Sequence, residues 1–205
     1  MKQISHEYKF YFIGIPKTGC TSVRAALSNF LYKERRKNQN QKFKHFTNLE
    51  YKKIEKLNNY FSFAFVRNPF DRMVSQYRFS GKRWFKKYEE LSNYKPTFIN
   101  YVKYLVGEGR PFSRHRSPLL NVGYDKDWSM MQFIEGGVNF IGKFENLQQD
   151  FNVICDKIGI PQQKLPHLNK TNHKHYTKYY NDETRQIVAE KYKKDIEYFG
   201  YKFGA

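Results

Sequence analysis

The sequence predicts an α/β protein, a P-loop-like parallel sheet flanked by helices, in a single domain covering residues 1–205. Three observations predict it. Short apolar runs occur at Lys9–Gly14 (KFYFIG), Phe61–Val66 (FSFAFV) and Val138–Phe144 (VNFIGKF), each with the length and composition of a buried strand. A helical pattern follows each run. A glycine-containing turn, IPKTGCTS at residues 15–22, joins the first strand to its helix. Strands that alternate with helices in this way pair in parallel, because the helix carries the chain back to the same end of the sheet.

The elements follow in order. After the turn, Val23, Leu27, Phe30 and Leu31 share one face of a helix expected from Thr21 to about Lys33. Residues 34–44 are polar and basic and read as a loop, and a helix is expected over Leu49–Leu57. The second strand runs into Arg67-Asn68-Pro69-Phe70-Asp71. Asn68 is a good N-cap, Pro69 suits the first helical position and Asp71 suits the first turn. Residues 80–130 show one helix near Pro96–Val106 between long loops. After the third strand, Leu147, Phe151, Ile154 and Ile158 mark a helix that Gly159 stops, with Pro161 just beyond. The last helix is expected from Asn181 to Gly200.

Composition narrows the class. Hydrophobic residues make up 40% of the 205 and aromatics 19%, so the chain can build a core. Lysine and arginine number 37 against 19 acidic residues, a formal net charge of +18. That excess favours an anionic partner, although a solvated lysine-rich surface would give the same count. Two cysteines, Cys20 and Cys155, cannot make a disulfide framework and point to a reducing compartment. With no run of about 18 apolar residues and no leader-like start, the chain as given is expected to be cytoplasmic.

The first turn carries the chemistry. Gly14-Ile15-Pro16-Lys17-Thr18-Gly19-Cys20-Thr21 matches both glycines and the final hydroxyl of the nucleotide P-loop. The P-loop lysine is missing, because Cys20 stands in its place, and Lys17 lies three residues earlier. The second strand ends in Arg67, where a metal-binding carboxylate would be expected of an ATPase. An ordinary nucleotide kinase is therefore the weaker reading. A basic nucleic-acid-binding module is another, but no fold motif of that class is present.

Pro16–Ser22 resembles the 5′-phosphosulfate loop of sulfotransferases that use 3′-phosphoadenosine 5′-phosphosulfate (PAPS). Phe65–Ser75 (FVRNPFDRMVS) resembles their 3′-phosphate motif, an arginine and a serine eight positions apart. Ile141–Leu147 and Leu165–Thr171 resemble later blocks of the carbohydrate sulfotransferase branch, the chondroitin- and HNK-1-type enzymes and their bacterial relatives. The likeness spans about residues 9–79 and 138–203. It implies a sulfuryl transfer from PAPS to a hydroxyl, with a glycan as acceptor, PAP as product and no metal. The implied donor-binding residues are Lys17, Thr18, Gly19, Cys20, Thr21, Ser22, Arg67, Ser75 and Lys170. The expected partners are the nucleotide and a hydroxyl acceptor, not nucleic acid.

Physical reading of the motifs supports the same roles. Lys17 and the turn's N–H groups would stabilise charge growing on the leaving 5′-phosphate. Arg67 can fork onto a phosphate, and Ser75 returns to the face of Asn68 two helical turns on; an arginine in a surface ion pair is the plainer alternative. The acceptor hydroxyl needs a base. His45, in Lys44-His45-Phe46-Thr47, is the first candidate, His115 the second and Glu145 the third. His173 and His175 could pair on a metal, but no nearby cluster completes a set, so none is expected. Residues 82–87, which include Trp84, and Arg110–Arg116 could line an acceptor cleft or be solvated surface.

Overall fold

The computed structural model describes residues 3–31, 45–81, 97–103, 129–168 and 174–205. They form two compact units, Met1–Arg67 with Met130–Lys170, and Asn68–Ser129 with Thr171–Ala205.

The first unit holds a four-stranded sheet in the order β1 (Ile4–Ser5), β2 (Phe10–Ile13), β3 (Phe61–Val66) and β4 (Phe140–Lys143). The three strands expected from the sequence pair in parallel, with Phe10 beside Phe61 and Val66 beside Lys143. β1 adds an antiparallel edge that two residues could not announce. Strand alternation explains why β2 and β3 are apolar at nearly every position. Phe10, Phe12, Phe63 and Phe65 face a core shared with α1 (Cys20–Ala26) and a later helix. Tyr11 turns the other way and stacks on Tyr51 of α2 (Asn48–Lys52), ring centroids 4.8 Å apart. A sheet covered on both faces needs hydrophobic side chains at every position.

α1 is shorter than expected. It gives way to turns after Ala26, and the residues beyond 31 lie outside the described ones. α2 is capped by a reciprocal box, Thr47 with Glu50, and ends before a separate 3₁₀ turn at Glu55–Leu57 because Ile54 is extended. α5 (Met130–Ile134) also belongs to this unit. A 3₁₀ turn, Phe144–Asn146, leads from β4 into α6 (Leu147–Ile158). α6 packs Phe151, Ile154, Cys155 and Ile158 into the aromatic core and stops at Gly159 as expected.

The second unit contains α3 (Pro69–Gln76), α4 (Phe98–Val102), α7 (Asp182–Lys191) and α8 (Lys193–Phe199). Asn68 caps α3 by accepting the Phe70 N–H at 3.1 Å, and Pro69 takes the first turn. The core of this unit is aromatic: Phe70, Tyr77, Phe98, Tyr101, Tyr176 and Tyr192 are all buried. The single helix expected from Asn181 to Gly200 is broken at Tyr192, whose φ of −107° and ψ of 24° leave the helical range. Among the described residues no helix is long and apolar enough to cross a membrane.

Candidate active site

The parallel register brings the ends of β2, β3 and β4 to one edge of the sheet, where ligands of open α/β sheets bind. The phosphate-type turn follows β2, Arg67 follows β3, and Phe144 follows β4. The turn is held from within. Thr18 Oγ1 donates to the Ile15 carbonyl at 3.0 Å, so this hydroxyl closes the turn. Lys17 and Gly19 both take left-handed backbone, at φ 69° and 82°. Left-handed residues alternating with ordinary ones turn successive N–H groups to one side, which makes a concavity for an anion.

The sequence-expected residues now separate by role. Ser22 and Val23 N–H groups donate back to the Gly19 carbonyl at 3.0 and 3.2 Å, so what Ser22 can offer a ligand is its hydroxyl. The N–H groups of Thr18, Gly19, Cys20 and Thr21 precede the first intrahelical donor, Ser22. The Cys20 side chain is buried in the core with Val23 and Leu27, and burial pushes its thiol pKa up. Cys20 therefore belongs to the turn through its backbone. Thr21 is exposed at the start of α1.

Lys17 and Arg67 meet. Arg67 Nη1 donates to the Lys17 carbonyl at 3.2 Å, and the guanidinium lies over the Phe144 ring, 3.9 Å from its centroid. Phe144 was not singled out from the sequence; its place at the end of a strand run was the only signal. Stacking fixes the guanidinium plane while its N–H donors point outward along that plane. Arg67 is 7% exposed. The Lys17 ammonium is pushed down to about 8, first by burial and then by the neighbouring Arg67 charge, against a smaller opposing effect of Cys20. Two cations held close together repel each other, and bound anionic groups would relieve both.

His45 stands beside the turn. Its Nδ1 is bonded to the Gly14 carbonyl. A carbonyl only accepts, so Nδ1 carries the proton and Nε2 is the basic nitrogen of the neutral ring. The segment is anchored just downstream. Asn48 is fully buried, accepts from Tyr11 Oη at 2.8 Å and donates to the Glu135 and Gly137 carbonyls at 3.0 and 2.7 Å.

Glu145 is exposed in the 3₁₀ turn after β4. Ser75 is half-buried on α3, in the second unit. His175 is exposed, with Nδ1 2.9 Å from Thr177 Oγ1. Lys170, His115, His173, Trp84 and the 110–116 segment lie outside the described residues.

A profile of the Sulfotransferase family matches residues 3–202, across both units. Carbohydrate sulfotransferase 9 of Homo sapiens is 26% identical over 97% of the chain and 52% of its own length. Carbohydrate sulfotransferase 14 of Danio rerio is 24% identical over 97% of the chain and 61% of its own length. An uncharacterised protein of Archaeoglobus fulgidus is 28% identical over 58% of the chain and 84% of its own. The chain thus spans between half and two thirds of the length of the two carbohydrate sulfotransferases. No solved structure matches it. With a family profile that covers nearly all of its residues, the chain belongs to the sulfotransferase family.

Proposed function

We propose that this chain transfers a sulfuryl group from PAPS to a hydroxyl of a carbohydrate acceptor. The observation that carries the reading is the Lys17–Arg67 pair at the ends of adjacent parallel strands. PAPS has two anionic ends, and the sequence offers a turn for one and an arginine motif for the other. The names of the full-length relatives support a carbohydrate acceptor. Free, buried thiols at Cys20 and Cys155 support a reducing, cytoplasmic setting.

In the proposed reaction His45 Nε2 takes the proton of the acceptor hydroxyl. The acceptor oxygen forms a bond to sulfur as the bond from sulfur to the bridging oxygen breaks. The electron pair of that bond leaves with the 5′-phosphate, giving PAP. Lys17 and the N–H groups of Thr18 to Thr21 hold the charge that grows there, and donors fixed in advance need no reorganisation as it develops. Arg67 is assigned to the 3′-phosphate; the share of Ser75 and Lys170 rests on the sequence motifs. A nucleotide kinase is the poorer reading, because the position of the P-loop lysine is the buried Cys20.

Thermal shift with PAP against adenosine 5′-phosphate tests the donor assignment. PAP is expected to raise the Tm well above the monophosphate at equal concentration. Equal shifts would remove the 3′-phosphate site, and a larger shift with Mg-ATP would favour the kinase.

A further inference from the structure

Gln3 has no role in the reading so far, and the sequence gives no reason to notice it. Its side chain is buried, with 4% exposure. The backbone around it is pinned: the Gln3 N–H donates to Tyr51 Oη at 3.0 Å, and its carbonyl accepts the Phe12 N–H at 2.8 Å. Yet Oε1 of the amide is buried and has no hydrogen-bond partner among the described residues. A buried acceptor left unpaired is costly, so its position calls for a physical reason.

That reason lies at Gly14. A Cβ on Gly14 would fall 2.9 Å from Gln3 Nε2, 3.1 Å from Oε1 and 3.5 Å from Cδ. All three nearest atoms belong to the amide, so the flat group lies against the Gly14 Cα. Gly14 is not among the residues with left-handed backbone. What a side chain at Gly14 would meet is the end of the buried Gln3 amide, so the constraint here is close approach and not the φ angle. The Gly14 carbonyl is the group that holds His45 Nδ1. A planar, uncharged side chain thus backs the peptide whose carbonyl accepts from His45 Nδ1. A carboxylate of the same shape would bring negative charge to the root of an anion-binding turn.

We propose that Gln3 is a positioning residue: its amide holds the Gly14 peptide so that the carbonyl keeps His45 in the Nδ1–H form. Its catalytic consequence rests on His45 being the base, but the coupling itself is readable without any acceptor. Two measurements on the full chain test it. In ¹⁵N NMR of the imidazole nitrogens, the wild-type His45 is expected in the Nδ1–H tautomer, and Gln3→Ala is expected to let the Nε2–H form grow severalfold. Should Gln3→Ala not fold, Gln3→Met keeps the bulk without the plane and is expected to show the same change. The second measurement is a double-mutant cycle in Tm. Gly14→Ala alone is expected to lower the Tm through the clash with the amide, and to lower it clearly less in a Gln3→Ala background. An unchanged tautomer ratio in a folded Gln3 variant, or strictly additive Tm losses, would overturn the proposal. Failure of PAPS turnover in the wild type would count against the sulfotransfer reading and leave both measurements standing.

Discussion

The depressed ammonium of Lys17 makes donor binding pH-dependent in a definite direction. In the free chain Lys17 titrates at about 8, lowered by burial and by Arg67. A dianionic 5′-phosphate beside it favours the charged form and raises that value. Between the free and bound values, binding must take up a proton, so affinity falls as pH rises through 8. With a free value of 8 and a bound value above 10, the loss between pH 7 and 9.5 is roughly 30-fold, about 2 kcal/mol. Proton uptake grows from about 0.1 at pH 7 to about 0.9 at pH 9 on the same linkage. A phosphate's own second ionisation lies near 6 and is complete across this window.

Isothermal titration of PAP in buffers of different ionisation enthalpy reads both quantities. Lys17→Arg is expected to bind PAP with no alkaline loss in this range. The ligand-free protein moves the opposite way. The folded value of Lys17 lies below its ordinary 10.5, so between 8 and 10.5 the unfolded chain holds more protons and stability rises with pH. Measured against Lys17→Met, the free protein should gain stability while PAP affinity declines. PAP affinity that stays flat from pH 7 to 9.5, or an alkaline loss that persists in Lys17→Arg, would refute the placement of the phosphate on Lys17.

Two further expectations are more direct. His45→Ala should lower kcat by roughly 10²–10⁴ and leave PAP affinity nearly unchanged, with the acidic limb of kcat/KM lost; an active, well-folded variant that keeps the limb would point to Glu145 or His115. Gly19→Ala puts a Cβ at φ 82° and 2.9 Å from Leu147 Cδ2, so it should cost about 1–2 kcal/mol in backbone strain alone, lower the Tm by several degrees and weaken the PAP shift. A neutral Gly19→Ala would mean the turn is not held against α6.

What could be read in the sequence was what is local. β2 and β3 were legible because a strand covered on both faces is apolar at nearly every position, and β4, only partly buried and ending in exposed Lys143, by its shorter apolar run. The turn was legible because glycine, proline and lysine stand at fixed spacing, and α3 because Asn68 and Pro69 announce a helix start. What depends on pairing was not legible. Arg67 reaches the Lys17 carbonyl because β2 and β3 are neighbours in register, and Phe144 reaches Arg67 because β4 follows β3. The break at Tyr192 has no glycine or proline to mark it. The contact of Gln3 with Gly14 joins an edge too short to have a period to a turn that seemed explained by its own glycines.

The displacement of the lysine from position 20 to position 17 then has a physical cause and a consequence. Position 20 points into the core with Val23, Leu27 and Phe151, so a lysine there would have to bury its ammonium among aromatic and aliphatic groups. The cation comes instead from inside the turn, on a residue of left-handed backbone whose carbonyl is bonded by Arg67. Lys17 and Arg67 consequently form one electrostatic unit built from adjacent strands, and neither charge can be altered alone. Arg67→Met removes a like charge from beside Lys17, so the Lys17 pKa should rise from about 8 toward its ordinary value. The alkaline loss of affinity should move upward with it, and this is best read with adenosine 5′-phosphate, which has no 3′-phosphate to lose. Arg67→Met should bind that monophosphate with a pH dependence shifted to higher pH. An unshifted dependence would mean that the two cations do not feel each other, and the argument that they form one electrostatic unit would fail.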